Sequence, residues 1–295
     1  MDDNIFSVED YIKEIEKLKK IENLPSEELK SVLLEHSKNS FPILFRPICI
    51  NNTSYWRLTE SRHYMNIGLI SEFSYPPSAL TKFGRANIPY HPVFYCSESP
   101  TTPFFEMVNE DDFKDKVYYL SKWIVRGNKE VKLATFTFAK NMPENSDSES
   151  HFVSFDKFKD LFSENENLQR KAYDAFVYLS ECFVKEQHYV TSFIGYDHLY
   201  GMNEYSADML LYPSIRTDNN KLNFAIHPNF VLQEMELEYV IQLNVKKLHK
   251  LDFSIEFEIL NVGFNNNGFL SWQSFKKIPE SIQNKIHNDL KYTTL

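Results

Sequence analysis

The sequence predicts an α+β protein, and three observations carry that expectation. Two stretches place apolar residues at every second position, amphipathic helical patterns lie at the start and in the middle of the chain, and no strand–helix–strand repeat connects them. In MELEYVIQLNV the apolar residues are Met235, Leu237, Tyr239, Ile241, Leu243 and Val245; in FSIEFEI they are Phe253, Ile255, Phe257 and Ile259. Strict alternation describes a strand with one wet face, which is a property of antiparallel sheet.

The elements follow in order. SVEDYIKEIEKLKKI (7–21) places Val8, Tyr11, Ile12, Ile15 and Leu18 at helical spacing, with Ser7 as N-cap and Asp10 three residues on. A second helix is expected from Pro25 or Ser26 to about residue 37, presenting Leu29, Val32 and Leu33. From Phe41 the period changes: FPILFRPICI and TSYWRLTE read as extended, PVFYCS as a compact strand and TPFFEMV as a short helix after it. VKLATFTF (131–138) is another strand, and NMPENSDSESH a polar surface loop. ENENLQRKAYDAFVYLSECFVKEQ (164–187) aligns Leu168, Ala172, Ala175, Leu179 and Phe183 on one helical face. These elements divide the chain into an N-terminal helical extension (1–40), a core domain (41–250), and a C-terminal strand and helix extension (251–295) packed on that domain.

Composition excludes several classes of function. The net charge of −9 argues against a nucleic-acid partner, because phosphate-backbone binding needs a basic surface. The three cysteines, Cys49, Cys96 and Cys182, have no metal-like spacing and fit a reducing compartment. Met-Asp-Asp-Asn is the wrong charge for a signal peptide, and no apolar run approaches the roughly 20 residues that span a bilayer. The expectation is a cytoplasmic protein with no membrane partner. The chain has no G-x-G-x-x-G, no G-x-x-x-x-G-K-[ST], no H-E-x-x-H, no C-x-x-C and no G-x-S-x-G, and its histidines form no ligand pattern. No metal and no bound cofactor are expected, and a nucleotide would have to be held by side chains.

Taken singly, the candidate residues have ordinary readings beside functional ones. Arg57, in TSYWRLTE, is a surface or ion-paired arginine, or an inward guanidinium placed to fork onto an anion. Arg85 follows Gly84 and precedes Asn87; this is a solvated turn, or a place where backbone and guanidinium approach a ligand. Tyr95 is a core tyrosine or a ring lining a site. Glu106 is the wet face of a short helix or a reactive carboxylate. Ser214, in LLYPSIR, satisfies a strand end or contacts substrate.

The order of the motifs is more specific than any one of them. Y-W-R-L-T is followed by G-R-x-N-x-P, then V-F-Y-C-S-x-S-x-x-T-x-x-F-E, and much later Y-P-S-I-R. Over about residues 53 to 245 this series resembles the RES-domain family, the toxin half of RES–Xre toxin–antitoxin pairs. The resemblance implies a core like that of ADP-ribosyltransferases, with mostly antiparallel mixed sheets and flanking helices, to which the N-terminal helices are an appendage. It implies an enzyme that degrades NAD⁺ as its substrate by hydrolysis or phosphorolysis, with protein ADP-ribosylation or a non-catalytic binding domain as the alternatives. Carried over by motif, Arg57, Glu106 and Ser214 are the catalytic residues, and Gly84, Arg85, Asn87 and Tyr95 contact NAD⁺. The implied partners are NAD⁺, phosphate and an Xre-type antitoxin. One departure stands out: family members often have Gly-Arg-Trp-Asn where this chain has Ala86 after the arginine.

The chemistry suits these residue types. Breaking the nicotinamide–ribose bond develops positive charge on the sugar, which a carboxylate stabilises. A diphosphate needs fixed cations, each charge-assisted hydrogen bond contributing roughly 1.5–3 kcal/mol. Tyr95 is expected at the nicotinamide ring, and Ser214 at the ribose or the amide.

Overall fold

The computed structural model describes residues 8–24, 26–36, 46–109, 111–114, 116–138, 154, 159, 166–185, 189–201, 206–249, 251 and 253–291. The cap expected from Ser7, the extended reading of 41–45 and the polar loop at 141–151 lie outside them. The architecture is α+β, built on one mostly antiparallel sheet of eight strands.

Strand β3 (Val117–Thr135) is its spine. Strand β1 (Arg46–Glu60) pairs antiparallel along one edge of β3 and places Arg57 opposite Ser121. The other edge is shared between two neighbours. Strand β6 (Met235–His249) pairs antiparallel with residues 117–125, and β4 (Met209–Pro213) runs parallel to residues 133–135. Strands β5 (Leu222–Ile226) and β2 (Phe94–Cys96) continue outward from β4, while β7 (Ser254–Asn266) and β8 (Phe269–Ser274) continue from β6. Trp56 and Ser97 exchange backbone hydrogen bonds of 2.7 and 2.9 Å, which brings the end of β2 back against β1.

The strand expected at 131–138 is instead the end of β3, which begins at Val117 and stops at Thr135. The earlier part escapes notice because it is covered on both faces. Tyr118 and Leu120 enter one apolar cluster, whereas Tyr119, Trp123 and Val125 enter another, so no wet face imposes alternation. Strand β6 conceals a second feature. Leu237 and Tyr239 lie opposite the consecutive residues Trp123 and Lys122, so one extra residue forms a bulge at Glu238. The bulge reverses the faces: Met235 and Leu237 pack in the cluster with Trp123, and Tyr239, Ile241 and Leu243 in the cluster on the opposite face. A series of apolar residues at every second position thus spans two cores.

Helices cover the sheet. Helix α1 (Val8–Ile21) and helix α2 (Ser26–His36) bury Ile15, Leu18, Leu29 and Leu33 in the same cluster as the apolar face of α4 (Glu166–Val184). Helix α5 (Tyr189–Tyr200) completes this layer. Short helices α3 (Thr102–Met107) and α6 (Pro228–Glu234), and the final helix α7 (Glu280–Lys291), pack elsewhere on the sheet. None of the described helices is long and apolar enough to cross a membrane.

A charged clasp ties α7 to the sheet. Buried Lys122 places its Nζ 3.0 Å from Glu238 and 2.8 Å from Asp289, while Lys285 meets Glu238 and the Tyr239 hydroxyl donates to Asp289 at 2.6 Å. Burial pushes the Glu238 carboxyl upward, but hydrogen bonds and charge from Lys285 and Lys122 outweigh it, and the net displacement is downward. A carboxyl with a lowered folded-state pKa stabilises above its unfolded value and loses that contribution as pH falls through the folded one. Urea-unfolding midpoints are therefore expected to drop as pH falls below about 4.3, and Glu238→Gln to flatten part of that decline.

Candidate functional site

The site assembles from strand β1, the loop 84–87, strand β2, helix α3 behind it and the turn after β4, with β5 alongside. In the loop, the Gly84 amide bonds to the Asn87 carbonyl at 3.0 Å, closing a tight turn. The Tyr95 hydroxyl on β2 accepts from the Ala86 amide and donates to Asn87 Oδ1, each at 2.8 Å. Asn87 spends its amide nitrogen on the carbonyls of Lys82 and Ile88. Asn87 and the Tyr95 hydroxyl are thus committed to shaping the loop, and the room that Gly84 supplies is filled by Tyr95. A Cβ on Gly84 would lie 2.7 Å from that hydroxyl. Burial raises the Tyr95 pKa well above the usual phenol range, which keeps it a neutral donor.

Helix α5 backs the same loop. Ser192 donates to the Gly84 carbonyl, and Gly195 faces Ala86 so closely that a Cβ there would stand 2.4 Å from the Ala86 Cα and carbonyl oxygen. The small residue at position 86 thus has a physical reason: Ala86 is fully buried against a helix glycine. Gly195→Ala would collide with backbone, which cannot rotate away. It is expected to lower stability by about 1–3 kcal/mol, measured by urea unfolding, and to displace Arg85.

The two arginines arrive from different elements. Arg57 crosses from β1 to donate to the Tyr95 carbonyl at 2.9 Å, its Cζ 5.5 Å from the centre of the Phe94 ring. Burial lowers its pKa to about 10, so it remains a cation at neutral pH. Arg85 lies over the Tyr212 ring at 5.2 Å. Neither guanidinium meets a carboxylate among the described residues, and Arg57 Nε and Arg85 Nη2 are buried donors without an acceptor. Unsatisfied buried donors are costly and call for a physical account.

Glu106 is half-buried near the end of α3, beyond Phe104 and Phe105, both buried. The Phe104 ring stacks on Phe257 with centroids 5.9 Å apart, and Phe105 meets Phe253 edge-on at 5.5 Å. The stretch around β7 therefore fixes the helix that carries the carboxylate. Glu106 Oε1 accepts from the Ser214 hydroxyl at 2.5 Å and from Asn223 Nδ2 at 2.7 Å. Oε2 has no partner among the described residues, although it is not a buried orphan. One oxygen accepts two hydrogen bonds and the other accepts none among the described residues. Ser214 also anchors the turn after β4 through its backbone, bonding to the Lys221 carbonyl at 2.8 Å.

No known protein-family model matches the chain, and no curated protein matches it. The reading of the site therefore rests on its own side chains. Arg57, Arg85, Tyr95, Glu106 and Ser214 are brought together from five segments, with Gly84 and Asn87 forming the turn beneath Arg85. Two contributors were not singled out in the sequence. Tyr212 directly precedes the quoted Pro-Ser pair, and Asn223 is the only polar residue of L-N-F-A-I, every residue of which is buried. A lone amide in such a strand is the signal that could have found it.

Among the described residues no group of three or more His, Cys, Asp or Glu side chains is placed to hold a metal. A cavity of about 330 Å³ lies at the other end of β4, lined by residues including Lys129, Glu130, Asp208 and His227, and contains none of the residues above.

Proposed function

We propose that the chain cleaves the nicotinamide–ribose bond of NAD⁺, with water or phosphate as acceptor. The observation that carries this reading is a carboxylate with one oxygen uncommitted among the described residues, paired with two half-buried guanidiniums that each keep one buried donor without an acceptor. A dinucleotide offers what each lacks: a diphosphate for the cations, and a ribose that becomes cationic for the carboxylate.

In this mechanism Arg57 and Arg85 bind the diphosphate through charge-assisted hydrogen bonds. Glu106 Oε2 faces the nicotinamide ribose. As the C1′–N bond breaks, nicotinamide leaves neutral with the bonding electrons, and the ribose passes through an oxocarbenium-like state that the carboxylate stabilises. An oxygen of water or phosphate then bonds to C1′, and water releases its proton to solvent. Ser214 and Asn223 hold the carboxylate, and Tyr95 holds the Arg85 loop rather than supplying a reactive group. The toxin reading belongs to the same proposal, since unrestrained turnover would deplete cellular NAD⁺.

The test is product identification after incubating the pure protein with NAD⁺, in buffers with and without phosphate. Nicotinamide is expected in step with ADP-ribose, or with ADP-ribose carrying phosphate on the carbon that held nicotinamide when phosphate is the acceptor. ADP-ribose label appearing on a protein band instead would reassign the acceptor to protein.

A further inference from the structure

Strands β4 and β5 place Tyr212 directly opposite Asn223. Directly paired residues of an antiparallel ladder project from the same face, with Cβ atoms about 4.5–5.5 Å apart. Each member of this pair supports one half of the proposed site. Arg85 lies over the Tyr212 ring at 5.2 Å, and Asn223 donates to Glu106 Oε1 at 2.7 Å. Arg85 comes from a loop and Glu106 from a six-residue helix, elements with little rigidity of their own. The strand pair, by contrast, is buried along its whole length and anchored to β3 through β4.

We propose that the Tyr212–Asn223 pair is the positioning element of the site, setting the separation between the Arg85 guanidinium and the Glu106 carboxylate to suit a dinucleotide. The inference rests on the NAD⁺ reading above and deepens it, assigning two residues that do not touch the reacting atoms. Asn223 acts on the chemical step, because it directs the Glu106 carboxylate and keeps Oε2 as the oxygen that faces the ribose. Tyr212 acts on substrate binding, because its ring holds the cation that meets the diphosphate. The two halves therefore predict opposite kinetic signatures.

The test is steady-state nicotinamide release by the full chain, with folding of each variant checked by thermal melting. Asn223→Ala is expected to lower kcat about 10- to 100-fold, the weight of one hydrogen bond to a charged group, with KM within about twofold. Asn223→Asp, of the same size, sets an acceptor against Glu106 and is expected to lose at least as much. Tyr212→Leu is expected to raise KM about three- to tenfold with little change in kcat, and Tyr212→Phe, which restores the ring, to recover most of that KM loss. A double-mutant cycle separates positioning from general damage: in a Glu106→Ala background, Asn223→Ala is expected to cost nothing further. The inference is overturned if Asn223→Ala costs the same factor with and without Glu106, or if Tyr212→Leu leaves KM unchanged. Absence of turnover in the wild type overturns the NAD⁺ reading itself, and the inference with it.

Discussion

Glu106→Gln is expected to lower NAD⁺ turnover by about 10²–10³-fold, the scale lost when one aimed electrostatic group is removed. The substitution keeps the size of the side chain and its acceptor oxygen, so the bonds from Ser214 and Asn223 can persist. What disappears is the negative charge at Oε2, the oxygen without a partner among the described residues. The loss should fall on kcat, because the charge matters most once the ribose becomes cationic. Melting temperature should change little, since the carboxylate forms no ion pair among the described residues. The comparison is of kcat for the two proteins at matched folded fraction.

Phe104→Ala is expected to cost about 3–5 kcal/mol of stability, the range for deleting a fully buried aromatic ring. Phe104 is 1% exposed and stacked on Phe257, and α3 is only six residues long. A helix of that length has no stability of its own and depends on such packing. Glu106 lies two residues beyond, so the protein that remains folded should also turn over more slowly. Met107→Ala, on the exposed side of the same helix, should stay within about 0.5 kcal/mol of wild type. Denaturant unfolding measures both changes. A large loss at Met107 with none at Phe104 would contradict this account of how α3 is held.

How much of this could be read from the sequence depends on which residues face water. The strands at 235–245 and 253–259 were legible because apolar residues fall at every second position, and the amphipathic helices at 8–21, 26–36 and 166–184 because each has a wet side and a dry one. Residues 117–130 of β3 were not, since its first half is covered on both faces and lacks a period. Helix α5 was missed for the related reason that nine of its twelve residues are buried, leaving no polar stripe to reveal the helical repeat.

At the site, the motif order brought forward Arg57, Arg85, Glu106 and Ser214, and the fold gathers them. Asn87 and Tyr95 came with them, but their polar atoms are engaged in the loop. Asn223 and Tyr212 stayed hidden because their importance comes from cross-strand pairing, which sequence spacing does not report. Phe253 and Phe257, in the alternating stretch near the C-terminal end, likewise acquire their bearing on the site only through contact with α3.

The central claim is that this cluster of side chains breaks the nicotinamide–ribose bond, and its most direct test is one time course. Wild type and Glu106→Gln, equally folded, are incubated with NAD⁺ and nicotinamide is followed by chromatography. Steady release by the wild type, reduced at least about 10²-fold in the variant, is the predicted result. Equal release by both proteins, or intact NAD⁺ with the wild type in the presence of phosphate and of a cell lysate, would contradict the account.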